Sequence, residues 1–241
     1  MTEPHKTSTQ IEPALISLRI IGGLEVASVL ASIFLTVWVM IPLRPEPRWL
    51  IAAPGLFAVA LILNSQRIRG ERLGDLGLSG RNFAKAFRLV ALPTLIAASV
   101  ILTIGYATNS FHRTSHFWTN VLFLPVWAIT QQYVLQAFIY RRIRGLLVTD
   151  FASSNEQRQQ IRWAIWTTAA LFSLAHLPNL MLMVLTLLGG LMWSWVYERA
   201  PNLLALGLSH ATLSFLLMTS VPDWLLPSLS VGYKHFLYQK F

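Results

Sequence analysis

Residues 118–139 read WTNVLFLPVWAITQQYVLQAFI, an uncharged run that nonetheless holds three glutamines, Gln131, Gln132 and Gln136. A helix needs about 20 apolar residues to cross the hydrocarbon of a bilayer, and this run supplies them. Amides are expensive in hydrocarbon, so in a membrane helix they face a bundle interior or a wet cavity. On an α-helix Gln132, Gln136 and Tyr140 fall at i, i+4 and i+8 and share one face, with Gln131 beside it. The stretch therefore predicts a spanning helix that carries a polar stripe towards other helices.

Similar apolar runs lie on either side of it, at 20–41, 49–64, 88–107, 163–177, 180–197 and 202–220. Together they predict an all-α polytopic transmembrane helix bundle of about seven spans. The bundle fills residues 20–220 as a single domain, between an N-terminal segment (1–19) and a C-terminal tail (221–241). Pro222 and Pro227 count against an eighth span, which would move only the tail. Pro125 marks a place for a kink in the fourth span. Two basic stretches, 65–88 and 140–162, are expected as loops, with RNFAKAFRLV leading helically into the third span.

Composition agrees. Hydrophobic residues make up 54% of the chain and charged residues 12%, about half the charged share of a soluble domain. The net charge of +9 is not a nucleic-acid signature, because the charges lie between the spans, where Lys and Arg set topology. With seven spans, fourteen of the nineteen Lys and Arg fall on the N-terminal side and five on the other. The positive-inside rule then places the N-terminus and both basic stretches in the cytoplasm and the protein in the cytoplasmic membrane, with lipids as its surroundings. The chain has no cysteine, so disulfides and thiolate metal sites are out of reach. Its polar N-terminus lacks the pattern of a cleaved signal peptide.

Two more spans carry polar groups. In the fifth, Phe172 and His176 are an i, i+4 pair, followed by Asn179. In the seventh, His210 and Ser214 are an i, i+4 pair with Ser209 and Thr212 close by. Such residues often serve only to hydrogen-bond one membrane helix to another. Two histidines on different spans, with glutamines on a third, also suit a site at the centre of the bundle. Of the ten acids only Glu25 lies within a span, near its start, where it is expected at head-group depth or paired with a basic residue such as Arg19. Arg141 and Arg142 read as anchors at the cytoplasmic face.

These motifs, in this order, resemble the CAAX prenyl protease and bacteriocin-processing (CPBP, or Abi) family of integral membrane proteases. That family's signature is Glu-Glu-x-x-x-Arg, Phe-x-x-x-His and His-x-x-x-Asn or Asp on separate spans. Here the second part stands intact as Phe172-Ser-Leu-Ala-His176. The third is His210-Ala-Thr-Leu-Ser214, with Ser at the final place. The first is Gln131-Gln132-Tyr-Val-Leu-Gln136, with glutamine at all three signature positions. The basic segment ERLGDLGLSGRNFAKAF is similar to one these proteins carry between early spans.

The resemblance implies an intramembrane endopeptidase that cleaves a membrane-associated peptide or protein, prenylated substrates included. Its site residues would be Gln131, Gln132, His176, His210 and Ser214. In the family a glutamate activates water while histidine and asparagine stabilise the oxyanion; an older view makes the site a metalloprotease. An amide cannot take a proton, so the base would be another group: Glu25, if the first helix packs against the fourth, or His176, with His210 and Ser214 then the oxyanion donors. No cofactor is required by this scheme. A divalent metal such as zinc would find His176 and His210 but no carboxylate. Loss of the acids together with the arginine is electrostatically coherent, since removing one member alone strands a buried charge. Two other readings stand beside the protease: a non-proteolytic relative that binds a membrane partner, and a small transporter. The transporter ranks last because broken spans and repeated halves are missing.

Overall fold

The computed structural model describes residues 8–113, 117–149 and 151–238, without the side chains of 8–17 and 238. Among these residues there are eight helices and no strand. Helix α1 (Ser8–Leu35) continues through a π-helical turn, Thr36–Met40, to Leu43. A 3-10 turn (Arg48–Ala52) leads into α2 (Ala53–Ile68). Next come α3 (Phe83–Ala107), α4 (Phe117–Leu147), α5 (Ser154–Leu174), α6 (Leu180–Arg199), α7 (Leu203–Ser220) and a short α8 (Tyr233–Tyr238).

Six of these segments are long and apolar enough to cross a membrane: Leu18–Leu43, Arg48–Ile68, Phe83–Ala107, Phe117–Leu147, Leu180–Arg199 and Leu203–Ser220. The chain is a multi-pass membrane protein. Helix α5 corresponds to the expected fifth span, but its first turns read SNEQRQQIR and its apolar part starts only at Trp163. It nonetheless packs tightly in the bundle. A Cβ on Gly190 of α6 would lie 3.0 Å from the Ala169 Cα of α5, so the two backbones approach closely through small residues.

The basic stretch 140–162, expected as a loop, is mostly helix. Helix α4 runs on to Leu147, and α5 starts at Ser154 behind a capping box. In that box Ser153 Oγ accepts from the Glu156 N–H, and the Glu156 carboxylate accepts from the Ser153 N–H at 2.8 Å. Charge ends a membrane crossing but does not end a helix, and Arg, Gln and Glu are good helix formers. The other basic stretch does contain an irregular segment before α3. It is strapped to the bundle, with Leu76 buried, the Tyr197 hydroxyl donating to the Leu76 carbonyl at 3.0 Å and the Asn202 amide donating to the carbonyls of Ser79 and Arg81 at 2.8 and 2.9 Å.

The described part of the tail makes no eighth span. The Gly232 N–H donates to the Leu177 carbonyl at 2.8 Å, and Asn179 Nδ2 donates to the Ser228 carbonyl at 2.8 Å. The tail thus folds across the turn between α5 and α6, on the face opposite the basic stretches. Gly232 has φ +59 and sits where a Cβ would come within 2.6 Å of Val37, so only glycine fits that crossing.

Candidate functional site

Helix α4 changes geometry in its middle. Residues Tyr133–Tyr140 form a π-helix, and every residue from Leu135 to Tyr140 is buried. The wider turn loosens the backbone ladder, a feature that recurs at functional sites. Gln66 of α2 serves this segment from outside: its Nε2 donates to the Ala137 carbonyl at 3.3 Å, and its Oε1 accepts the Tyr133 hydroxyl.

Gln132 sits at the start of the π-helical segment and is fully buried. Its Nε2 donates to His210 Nδ1 at 3.2 Å. The contact bridges antiparallel helices. Gly207 of α7 lies against Ile129 of α4, with room for no Cβ (2.4 Å to Ile129 Cγ1). From that crossing Gln132 and His210 lie one turn away in opposite directions along the membrane normal. Side chains on a helix lean towards its own N-terminus, so these two lean towards each other and meet.

The His210 ring is held on a second side. It stacks on Trp193 of α6, with centroids 4.4 Å apart and planes at 26°. Trp193 Nε1 donates to Ser209 Oγ at 3.1 Å, and Ser209 Oγ bonds Thr94 Oγ1 of α3 at 2.7 Å. Gly189 makes room for this indole, since a Cβ there would lie 2.8 Å from its ring. Sequence reading passed over Trp193 and Thr94. A Trp in mid-span rather than at an interface was the available signal, because an indole buried in a bundle needs an acceptor.

His176 lies just beyond the last turn of α5. Its Nδ1 bonds the Phe172 carbonyl at 2.7 Å. A carbonyl only accepts, so Nδ1 carries the proton and Nε2 bears the lone pair. Phe172 packs against both imidazoles, with its ring 4.7 Å from His176 and 6.1 Å from His210 between centroids. The Phe-x-x-x-His motif thus sets a helix end around an aromatic wedge that joins the two histidines.

Three glutamines were expected together; the structure separates their roles. Gln132 faces His210. Gln136 is fully buried, with neither amide atom bonded to a partner among the described residues. Gln131 is half-buried and makes no hydrogen bond to another described residue. Ser214 is likewise half-buried and bonds no described residue, one turn beyond His210. The hydroxyls of Thr168 on α5 and Ser194 on α6 are buried without a partner among the described residues, as is Gln132 Oε1.

The carboxylates lie elsewhere. Glu25 accepts from Ser65 and Arg69, both at 2.9 Å, and lies 3.4 Å from Arg142; Arg69 and Arg142, not the expected Arg19, are its ion partners. Arg142 is no exposed anchor. It is 6% exposed, grips Glu71 with two nitrogens at 2.9 and 2.8 Å, and lies over the Phe138 ring. A guanidinium one turn past the apolar core can reach back to acids on α1 and on the loop after α2, a pairing that linear spacing hides.

Among the described residues no three His, Cys, Asp or Glu side chains gather to hold a metal ion. Two imidazoles and neutral amides do not make a zinc donor set.

The polytopic helix bundle thus holds two histidines in contact with one phenylalanine. Residues 114–216 match the family model of type II CAAX prenyl endopeptidase Rce1-like proteins. The match covers α4 to α7 and so all three motif positions, and leaves the basic 65–88 segment outside. No curated protein and no solved structure matches the chain.

Proposed function

We propose that this protein is an Rce1-like intramembrane endopeptidase that uses a histidine in place of the glutamate base. The observation that supports the reading is the pair of hydrogen bonds made by the Nδ1 atoms of the two imidazoles. Phe172 holds His176 as the Nδ1–H tautomer, which leaves Nε2 free to accept a proton. The Gln132 amide donates to His210 Nδ1, which leaves the proton on His210 Nε2. One ring is therefore set to accept and the other to donate.

In this scheme His176 Nε2 takes a proton from water as the oxygen attacks the scissile carbonyl carbon. His210 Nε2–H donates to the oxyanion that forms. The C–N bond then breaks, and His176 returns its proton to the leaving amine. Gln132 orients His210 as an amide can, without taking a proton. The substrate would be a membrane-associated peptide, prenylated ones included, and the arginine-rich face and N-terminus would lie in the cytoplasm.

The test is cleavage of prenylated CAAX peptides and of membrane reporters by purified protein in bilayer discs. Loss of cleavage in both His176→Ala and His210→Ala, with folding intact, supports the scheme. Cleavage that survives His176→Ala sinks it. A non-proteolytic role is the second reading, favoured by one observation: among the described residues, the only side-chain hydrogen bond to either imidazole comes from an amide. Absence of cleavage by the wild type, with activity gained in Gln132→Glu, would mark that outcome.

A further inference from the structure

We propose that a crevice on the arginine-rich face binds the phosphate head group of an anionic membrane lipid. The crevice encloses about 330 Å³ between the start of α1 and the end of α4, and five guanidinium groups line it: Arg19, Arg69, Arg141, Arg142 and Arg144. Three carboxylates pair with four of them. Glu25 meets Arg69 and Arg142, Glu71 meets Arg141 and Arg142, and Glu198 meets Arg144. Two positive charges are left over.

The spare hydrogen-bonding capacity is local. Arg19 donates from Nη2 to the Val148 carbonyl at 3.3 Å and touches no carboxylate among the described residues. Arg144 uses only Nε on Glu198, so its two Nη groups have no described partner. Planar guanidinium forks of this kind match phosphate oxygens.

Position favours a lipid over a free ion. Two apolar segments end around this crevice, that of α2 at Ile68 and that of α4 at Leu147. The crevice therefore lies at head-group depth. Leu18 and Leu146 are 49% and 37% exposed and offer an apolar flank to acyl chains. Basic pockets between spans on the side rich in Lys and Arg are where anionic lipids bind. Glycine keeps the space open: a Cβ on Gly145 would meet nothing within 4 Å, and one on Gly22 would only reach the Arg142 stem at 3.6 Å. The proposal is independent of proteolysis.

The test is native mass spectrometry of the whole protein released from discs of phosphatidylcholine with a minor share of phosphatidylglycerol. Wild type should retain phosphatidylglycerol in preference. Arg19→Gln should weaken its retention about fivefold, the worth of one arginine near a charged surface. Since Arg19 holds only a backbone carbonyl, that variant keeps the fold. Gly145→Phe fills the crevice, keeps every charge and should abolish retention. Arg113→Gln, on the opposite face, should change nothing. Equal retention of the two lipids, or wild-type retention in both crevice variants, overturns the proposal. Displacement of phosphatidylglycerol by millimolar inorganic phosphate overturns the lipid as its source.

Discussion

Gln136 is the residue whose replacement says most about this chain. It stands where the family keeps an arginine, it is completely buried, and neither of its amide atoms meets a partner among the described residues. A buried unpaired polar group costs about 1–3 kcal/mol. Gln136→Met removes both orphaned atoms at similar volume, so it should leave stability unchanged or raise it, read as thermal unfolding in detergent. Gln136→Arg should do the reverse, losing about 3–5 kcal/mol because a charge is buried without a counter-ion. Gln132 lies one turn back, at i−4. Gln132→Glu combined with Gln136→Arg should therefore be less destabilised than the two single changes summed, a coupling that a double-mutant cycle measures. Strict additivity would mean that the first motif is not a neutralised ion pair.

The crossing of α4 and α7 at Gly207 fixes the Gln132–His210 contact. A Cβ there would lie 2.4 Å from Ile129 Cγ1 and 3.2 Å from its Cα, so the helices would have to part. Gly207→Val should cost about 1–3 kcal/mol from overpacking and should lower proteolysis more than an equally destabilising change elsewhere, because it moves the imidazole from its amide. Activity compared at matched stability checks this. Most of these elements were legible in the sequence. Long uncharged runs name spans whatever their neighbours do, and the His176 and His210 motifs marked the two histidines that Phe172 joins. Three features were hidden. The π-helical segment of α4 is hydrogen-bonded by Gln66 from another helix. The Trp193 stack and the Arg142 network depend on which side chains tertiary packing brings together. The end of α4 reads as loop in the sequence because charge marks the end of a membrane crossing, whereas Arg141–Leu147 simply carries the helix out of the hydrocarbon.

Across the whole molecule, the arginine-rich face is tied by ion pairs and the opposite face by the tail. Glu71 joins the loop after α2 to α4 through Arg141 and Arg142, at 2.9 and 2.8 Å. Burial works to raise the Glu71 pKa, but the Arg142 and Arg141 guanidinium groups outweigh it and hold the carboxyl below its ordinary 4.5. A carboxyl whose pKa is lower in the folded state stabilises the fold above its unfolded pKa, and that contribution is lost as pH falls through the folded value. The thermal midpoint should therefore drop on acidification below about pH 4.5, the ordinary carboxylate range. Glu71→Gln should lower the midpoint at neutral pH, because it strands Arg142, and should flatten the acid limb of the curve. The effect should be larger than for Glu46→Gln, whose pair with Arg48 at 3.5 Å is solvent-exposed and worth little. An acid limb of the same steepness in Glu71→Gln and wild type would show that this ion pair does not tie the loop after α2 to α4.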